Sequence, residues 1–148
     1  MNIRRTILIG LTSILMALVT ACTTVNQDMP PAQGNTLQGT EWVLVSLNGN
    51  ALIEGKEITL RFGEGSLEGS GGCNAYGGSY TASEDSLSLS DVYRTEMACM
   101  EPKGIMAQEQ AYFQALNAAA SYRVDGDRME LYDEAGARIL AFVAAGGR

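Results

Sequence analysis

Five glycines fall within ten residues, at Gly69, Gly71, Gly72, Gly77 and Gly78, inside the stretch Gly65-Ser-Leu-Glu-Gly-Ser-Gly-Gly-Cys-Asn-Ala-Tyr-Gly-Gly-Ser-Tyr80. Without a Cβ, the backbone can bend, bulge or approach a neighbouring chain where any side chain would clash. The residues on either side read as strands, so the cluster predicts a sheet that curves sharply there.

The strand signals are short and frequent. Glu41–Leu47 is rich in strand formers and runs into Asn48-Gly49, a dipeptide suited to a tight hairpin turn. Glu57–Phe62 alternates apolar and polar residues, and Ser66–Ser70 reads as its hairpin partner. Ala75–Thr81 puts Tyr76 and Tyr80 on one face, and Ser86–Ser90 alternates again. Pro102-Lys-Gly104 then introduces a helix over 104–118, with Ile105, Tyr112, Phe113 and Leu116 on its apolar side and Gln108, Glu109 and Gln114 elsewhere. Ser121–Val124, Met129–Tyr132 and Arg138–Phe142 make a closing meander around turns at Asp125-Gly126-Asp127 and near Gly136. The expected fold class is α+β: a strongly bent, partly closed antiparallel sheet of about eight short strands, cracked-barrel-like, with one main amphipathic helix.

The N-terminal end has a different character. Arg4 and Arg5 precede an apolar run from Ile7 to Val19, too short for the roughly 20 residues of a membrane span, and Val19-Thr-Ala-Cys22 follows. This resembles a bacterial lipobox. Residues 1–21 are therefore expected to be a lipoprotein signal peptide, 22–36 an acylated Cys22 followed by a polar tether with Pro30-Pro31, and 37–143 the folded domain. Cleavage would remove Arg4 and Arg5 and take the net charge from −7 to −9. So acidic a chain excludes nucleic acid as a partner and leaves the acyl chains, palmitate-type, to hold the membrane. Thr23 and Thr24 lack an aspartate of inner-membrane retention type. The expected location is the outer membrane of a Gram-negative cell, with the domain facing the periplasm.

Catalytic equipment is sparse. The chain has no histidine, which excludes His-dependent triads and His-ligated metals. The glycines lack the lysine and following hydroxyl of a phosphate loop, and Asp125-Gly-Asp127 lacks the remaining ligands of a calcium loop, so neither a metal nor a cofactor is expected. Cys73 and Cys99 are the remaining thiols once Cys22 is acylated. In an oxidising compartment a disulfide worth roughly 3 kcal/mol is one reading, and two separately buried small hydrophobes the other. Asn74 either hydrogen-bonds its own turn or presents its amide to a ligand. Tyr76, Tyr80, Tyr112 and Phe113, with Trp42, are either core or the lining of a groove for an acyl chain or peptide.

Taken together, Leu37-Gln-Gly-Thr-Glu-Trp42, Asn48-Gly49, the 58–62 strand, Gly71-Gly-Cys-Asn-Ala-Tyr-Gly-Gly-Ser-Tyr80, Thr95-Glu-Met-Ala-Cys99, Glu109 with Phe113 and Leu116, and Gly126-Asp-Arg-Met-Glu-Leu131 resemble the META domain of HslJ-like bacterial lipoproteins, from Leu37 to Phe142. Glu96 stands where many relatives carry arginine, which removes a basic role at that position. The resemblance implies an envelope protein of the stress response, linked to heat shock and novobiocin tolerance, with no enzymatic activity. It also implies a likeness to the cracked barrels of secretin-pilot lipoproteins. The expected function is a lipid-anchored, non-enzymatic module that meets an envelope protein partner around the glycine-rich strand and the exposed sheet edges. The alternative is a hydrophobic-ligand carrier or pilotin-like chaperone with a partly open barrel.

Overall fold

The computed structural model describes residues 37–146. The expected signal peptide, Cys22 and the tether lie outside the described residues. Eight strands form in chain order: β1 (Glu41–Leu47), β2 (Thr59–Phe62), β3 (Ser66–Ser70), β4 (Ala75–Ser83), β5 (Ser86–Arg94), β6 (Ser121–Asp125), β7 (Arg128–Tyr132) and β8 (Arg138–Ala144). The helix α1 (Ile105–Ala118) sits between β5 and β6 in the chain. Each strand pairs antiparallel with the next, and β8 returns to β1 with Val43 opposite Val143. The sheet is thus a ring, but an irregular one. At the β5–β6 seam a single residue pair, Ser86 with Ser121, joins the two strands, reinforced by main-chain bonds from Leu87 N to Ala120 O (3.0 Å) and from Tyr122 N to Asp85 O (2.7 Å).

Strand alternation fills the ring. Leu60 and Phe62 of β2, Met129 and Leu131 of β7, and Leu140 and Phe142 of β8 are two residues apart in each strand and all face inward, fully buried. The helix α1 adds Tyr112, Phe113 and Leu116 to the same core.

Two bulges explain where alternation misleads. On β1, Leu44 faces Phe142 and Ser46 faces Ala141, so Val45 is the extra residue and stands 45% exposed, while Leu44 and Leu47 both point inward. On β5, Asp91 at φ 53° lies within the irregularity between the Ser79–Ser90 and Gly77–Tyr93 pairs. The alternation of Ser86–Ser90 ends at this point in the sequence, but the strand runs on through the bulge to Arg94. The expected helix begins one residue later, at Ile105, because Gly104 takes the left-handed conformation at φ 89° that turns the chain into it.

A core packed in this way makes inward and outward positions behave differently. Phe142→Ala is expected to lower the stability of the domain by about 3–5 kcal/mol, whereas Val45→Thr, at the exposed bulge, should shift it by no more than about 0.5 kcal/mol. Equilibrium urea denaturation of both variants checks this, and equal losses would contradict the assignment of Val45 to the outer face.

Candidate functional site

The glycine corner between β3 and β4 is where the sequence motifs meet. Gly71 lies under α1 so closely that a Cβ there would stand 2.9 Å from Glu109 Oε2 and 3.0 Å from Phe113 Cε2. Gly72 takes φ 104°, a conformation that side chains other than glycine rarely adopt. The two glycines therefore let the main chain turn against the helix and aim its next two N–H groups at one acceptor. That acceptor is Glu109, whose side chain is buried. Its Oε2 receives the N–H groups of Cys73 (3.0 Å) and Asn74 (2.6 Å), and its Oε1 receives Asn74 Nδ2 (2.6 Å).

Asn74 carries the connection onward. Its Oδ1 accepts from Thr95 Oγ1 (2.8 Å) and Met97 N (2.7 Å), and its Nδ2 also donates to Met97 O (3.1 Å). Both amide hydrogens and both carbonyl lone pairs are thus used, so the amide serves the segment after β5 and is not presented to solvent. Next to it Cys73 and Cys99 are joined by a disulfide, with Cα atoms 5.9 Å apart. Of the two readings of these cysteines, the bonded pair is the one the structure shows. The segment 95–99 is held to the corner twice, covalently at Cys99 and by hydrogen bonds at Thr95 and Met97.

The aromatic residues divide into two groups. Tyr76, Tyr112 and Phe113 come together beneath the corner with ring centroids 5.3 to 5.8 Å apart in tilted and edge-on arrangements. Tyr76 donates its hydroxyl to Thr59 O (2.8 Å), so the Tyr112 hydroxyl, 2.6 Å away, donates to Tyr76. Tyr80 is apart from them, edge-on to Phe62 at 4.8 Å and donating to Gly63 O (3.0 Å). Asn74 and these four rings are between 0% and 6% exposed, so they are chiefly interior groups, although Phe113 and Tyr76 each also border a depression of the surface.

Glu109 corrects the sequence-based expectation. Its charge predicts the polar side of the helix, but it follows Ile105 by four residues and precedes Tyr112 by three and Phe113 by four, which puts it on the buried stripe. The spacing holds the signal; the residue type conceals it.

Two of the surface depressions outside this packed corner stand beside α1 and β1. One, of about 320 Å³, lies between the end of β5 and α1, where Arg94 places its guanidinium 4.8 Å from the centre of the Phe113 ring. The other, of about 670 Å³ and more apolar, lies along the outer face of β1 beside Leu52 and Ile53. Among the described residues no group of three or more acidic, cysteine or histidine side chains is placed to hold a metal ion. Chemically the corner is a clamp: its polar atoms accept and donate within the protein.

The clamp and the tyrosine pair each have a measurable consequence. Glu109→Ala strands three buried donors, each costing about 1–3 kcal/mol, so a loss of about 3 kcal/mol or more is expected in thermal or urea denaturation. A variant as stable as the parent would remove the clamp from the account. Burial holds the Tyr76 and Tyr112 phenols well above their ordinary value of 10, opposed at Tyr76 and supported at Tyr112 by their mutual hydrogen bond. The folded chain thus keeps these protons more tightly than the unfolded one. Their contribution to stability is complete below pH 10 and drains away as pH rises above it. In an absorbance titration of the phenolate band, the share due to Tyr76 and Tyr112 should appear only with unfolding, and that late step should shrink in Tyr76→Phe and Tyr112→Phe.

The fold has known counterparts. The chain resembles a protein from Burkholderia xenovorans solved by NMR, with 30% identity, 74% of this chain and 84% of that one covered, and a TM-score of 0.60. A second NMR structure is 23% identical over 74% of this chain and 92% of that one, with a TM-score of 0.59. A crystal structure of a DUF4847 family protein from Bacteroides vulgatus, 14% identical over 73% of this chain and 94% of that one, has a TM-score of 0.54 and shares the fold. No curated protein matches the chain. The sequence profile of the META domain matches residues 35–146, which span the whole ring, the helix and the glycine corner, and the chain belongs to the META domain family.

Proposed function

We propose that this META domain is a non-enzymatic binding module of the cell envelope, acylated at Cys22, tethered by residues 22–36 to the outer membrane and working through contact with another envelope protein, in the manner of HslJ-like stress-tolerance lipoproteins. One observation carries the reading. The paired segments that carry the family resemblance, Gly71-Gly-Cys-Asn and Thr95-Glu-Met-Ala-Cys99, are bound through Glu109 and a disulfide, and their polar groups hold the chain together. The interior beneath it is filled by side chains. Residues consumed in this way do no work on a substrate, which leaves the outer surface as the place of function.

The carrier reading has one observation in its favour, the apolar depression along β1 beside Leu52 and Ile53. A bound acyl chain would lie there, outside the ring. Native mass spectrometry of the full lipidated chain, extracted gently from its own membrane, separates the readings. The binding module is supported by a stoichiometric protein companion together with loss of the lipid mass in Cys22→Ser. A hydrophobe that survives delipidating washes and is displaced by Leu52→Glu would replace the module with the carrier. A bare, unlipidated chain would overturn both the anchor and the partner.

A further inference from the structure

β5 has a strand neighbour on one side only for most of its length. It pairs with β4 as far as Arg94, but with β6 at Ser86 alone. Continuing the antiparallel register from Ser86–Ser121 would set residues 87–94 opposite 120–113. That stretch is the last two turns of α1 and its exit, and a helix spends its main-chain groups on itself. Leu87 still reaches Ala120 O across the seam. Beyond it, the main-chain groups of β5 that point away from β4 meet no strand among the described residues. At the far end the direction is fixed, since Thr95 N donates to Ala75 O and alternation turns the N–H and C=O of Arg94 outward.

The helix stands off from this edge and leaves the depression of about 320 Å³ between them, at the lower end of the roughly 300–1,000 Å³ of small-ligand pockets. Its far wall is Gln110, Gln114 and Asn117, exposed and four and three residues apart, a single stripe of amides along α1. Its floor is Phe113. At its mouth Arg94 is exposed, its guanidinium over the Phe113 ring, with no carboxylate of the described residues within salt-bridge distance. Tyr93 keeps the outer side flat, its ring lying where a side chain at Gly77 would stand.

We infer that this groove seats an extended peptide carrying a carboxylate. The peptide main chain adds as a strand to the free edge of β5, the mode by which a sheet edge and a facing helix recognise peptides. The amides of Gln110, Gln114 and Asn117, each a donor and an acceptor, meet its outer edge, and Arg94 receives the carboxylate in a forked pair. That carboxylate is a chain terminus or an Asp or Glu side chain. The inference rests on the reading of the domain as a binding module and adds where the partner docks and what it presents.

The test is selection of peptides by the purified full chain from two random heptapeptide libraries, one displayed with free C-termini and one tethered at both ends. Enriched peptides should share a carboxylate at one position. Synthetic copies should bind tenfold or more weakly to Arg94→Glu and to Gln114→Glu, which sets a negative charge beside the incoming carboxylate from the helix side. Both positions are exposed, and an unchanged thermal midpoint identifies the variant in which the fold is intact. In the parent, bound peptide should shift the NMR signals of residues 88–94 and of the Gln110, Gln114 and Asn117 side-chain amides. Enrichment from the free-ended library alone assigns the terminal carboxylate, and enrichment from both assigns the side chain. Failure to enrich from either library overturns the inference, as do peptides that bind Arg94→Glu undiminished and shift other residues. In either case a protein companion retained on the full lipidated chain would leave the binding-module reading standing without this groove.

Discussion

Two main-chain N–H groups, those of Cys73 and Asn74, point at one buried carboxyl group on α1, and the arrangement of the domain depends on that contact. The helix must lie where Glu109 can reach the corner between β3 and β4, and the corner must be glycine for the helix to come so near. Asn74 then fixes the segment that leaves β5, because its side chain is bonded to Glu109 on one side and to Thr95 and Met97 on the other. Buried polar groups cost stability unless every one of them is satisfied. Here the donors and acceptors match closely enough that the cluster specifies a single position for the helix against the sheet.

The same contact accounts for the irregular ring. With α1 drawn against the glycine corner, the chain between β5 and β6 occupies the side of β5 where another strand would lie. The two strands can then meet only at Ser86 and Ser121. The seam is a consequence of placing a helix inside the run of a meander, and it leaves one exposed strand edge in an otherwise closed sheet. The disulfide between Cys73 and Cys99 holds the start of that same crossing segment. The family motif and the open edge are therefore two sides of one construction. This ties the geometry of the β5 edge to residues buried in the glycine corner.

Much of the architecture is legible in the amino-acid sequence. β1 and β3 have the bounds their composition implies, the turn at Asn48-Gly49 has both residues at positive φ, and the helix ends at Ala118 as expected. Those segments have a clean local signal: alternation, a turn dipeptide, an apolar stripe. Where the signal is mixed, local pattern misplaces the element. Alternation predicts an end to β5 at Ser90, because Asp91 interrupts it and a bulge has no sequence mark distinct from a turn. Residue type predicts Glu109 on the solvent side, because a carboxyl group belongs in water unless a set of buried donors awaits it.

The sequence by itself determined the class of the fold, the approximate number of strands and the curvature at the glycine corner, since each follows from local periodicity or from the geometry of a single residue type. Only the tertiary structure decided that Asn74 faces inward, that Tyr76 and Tyr112 share a hydrogen bond while Tyr80 stands apart, and that β5 keeps one edge open beside Arg94. These depend on which atoms meet across 17 to 36 residues of chain. Hydrogen-bond satisfaction and packing are properties of such meetings, and no local pattern encodes them.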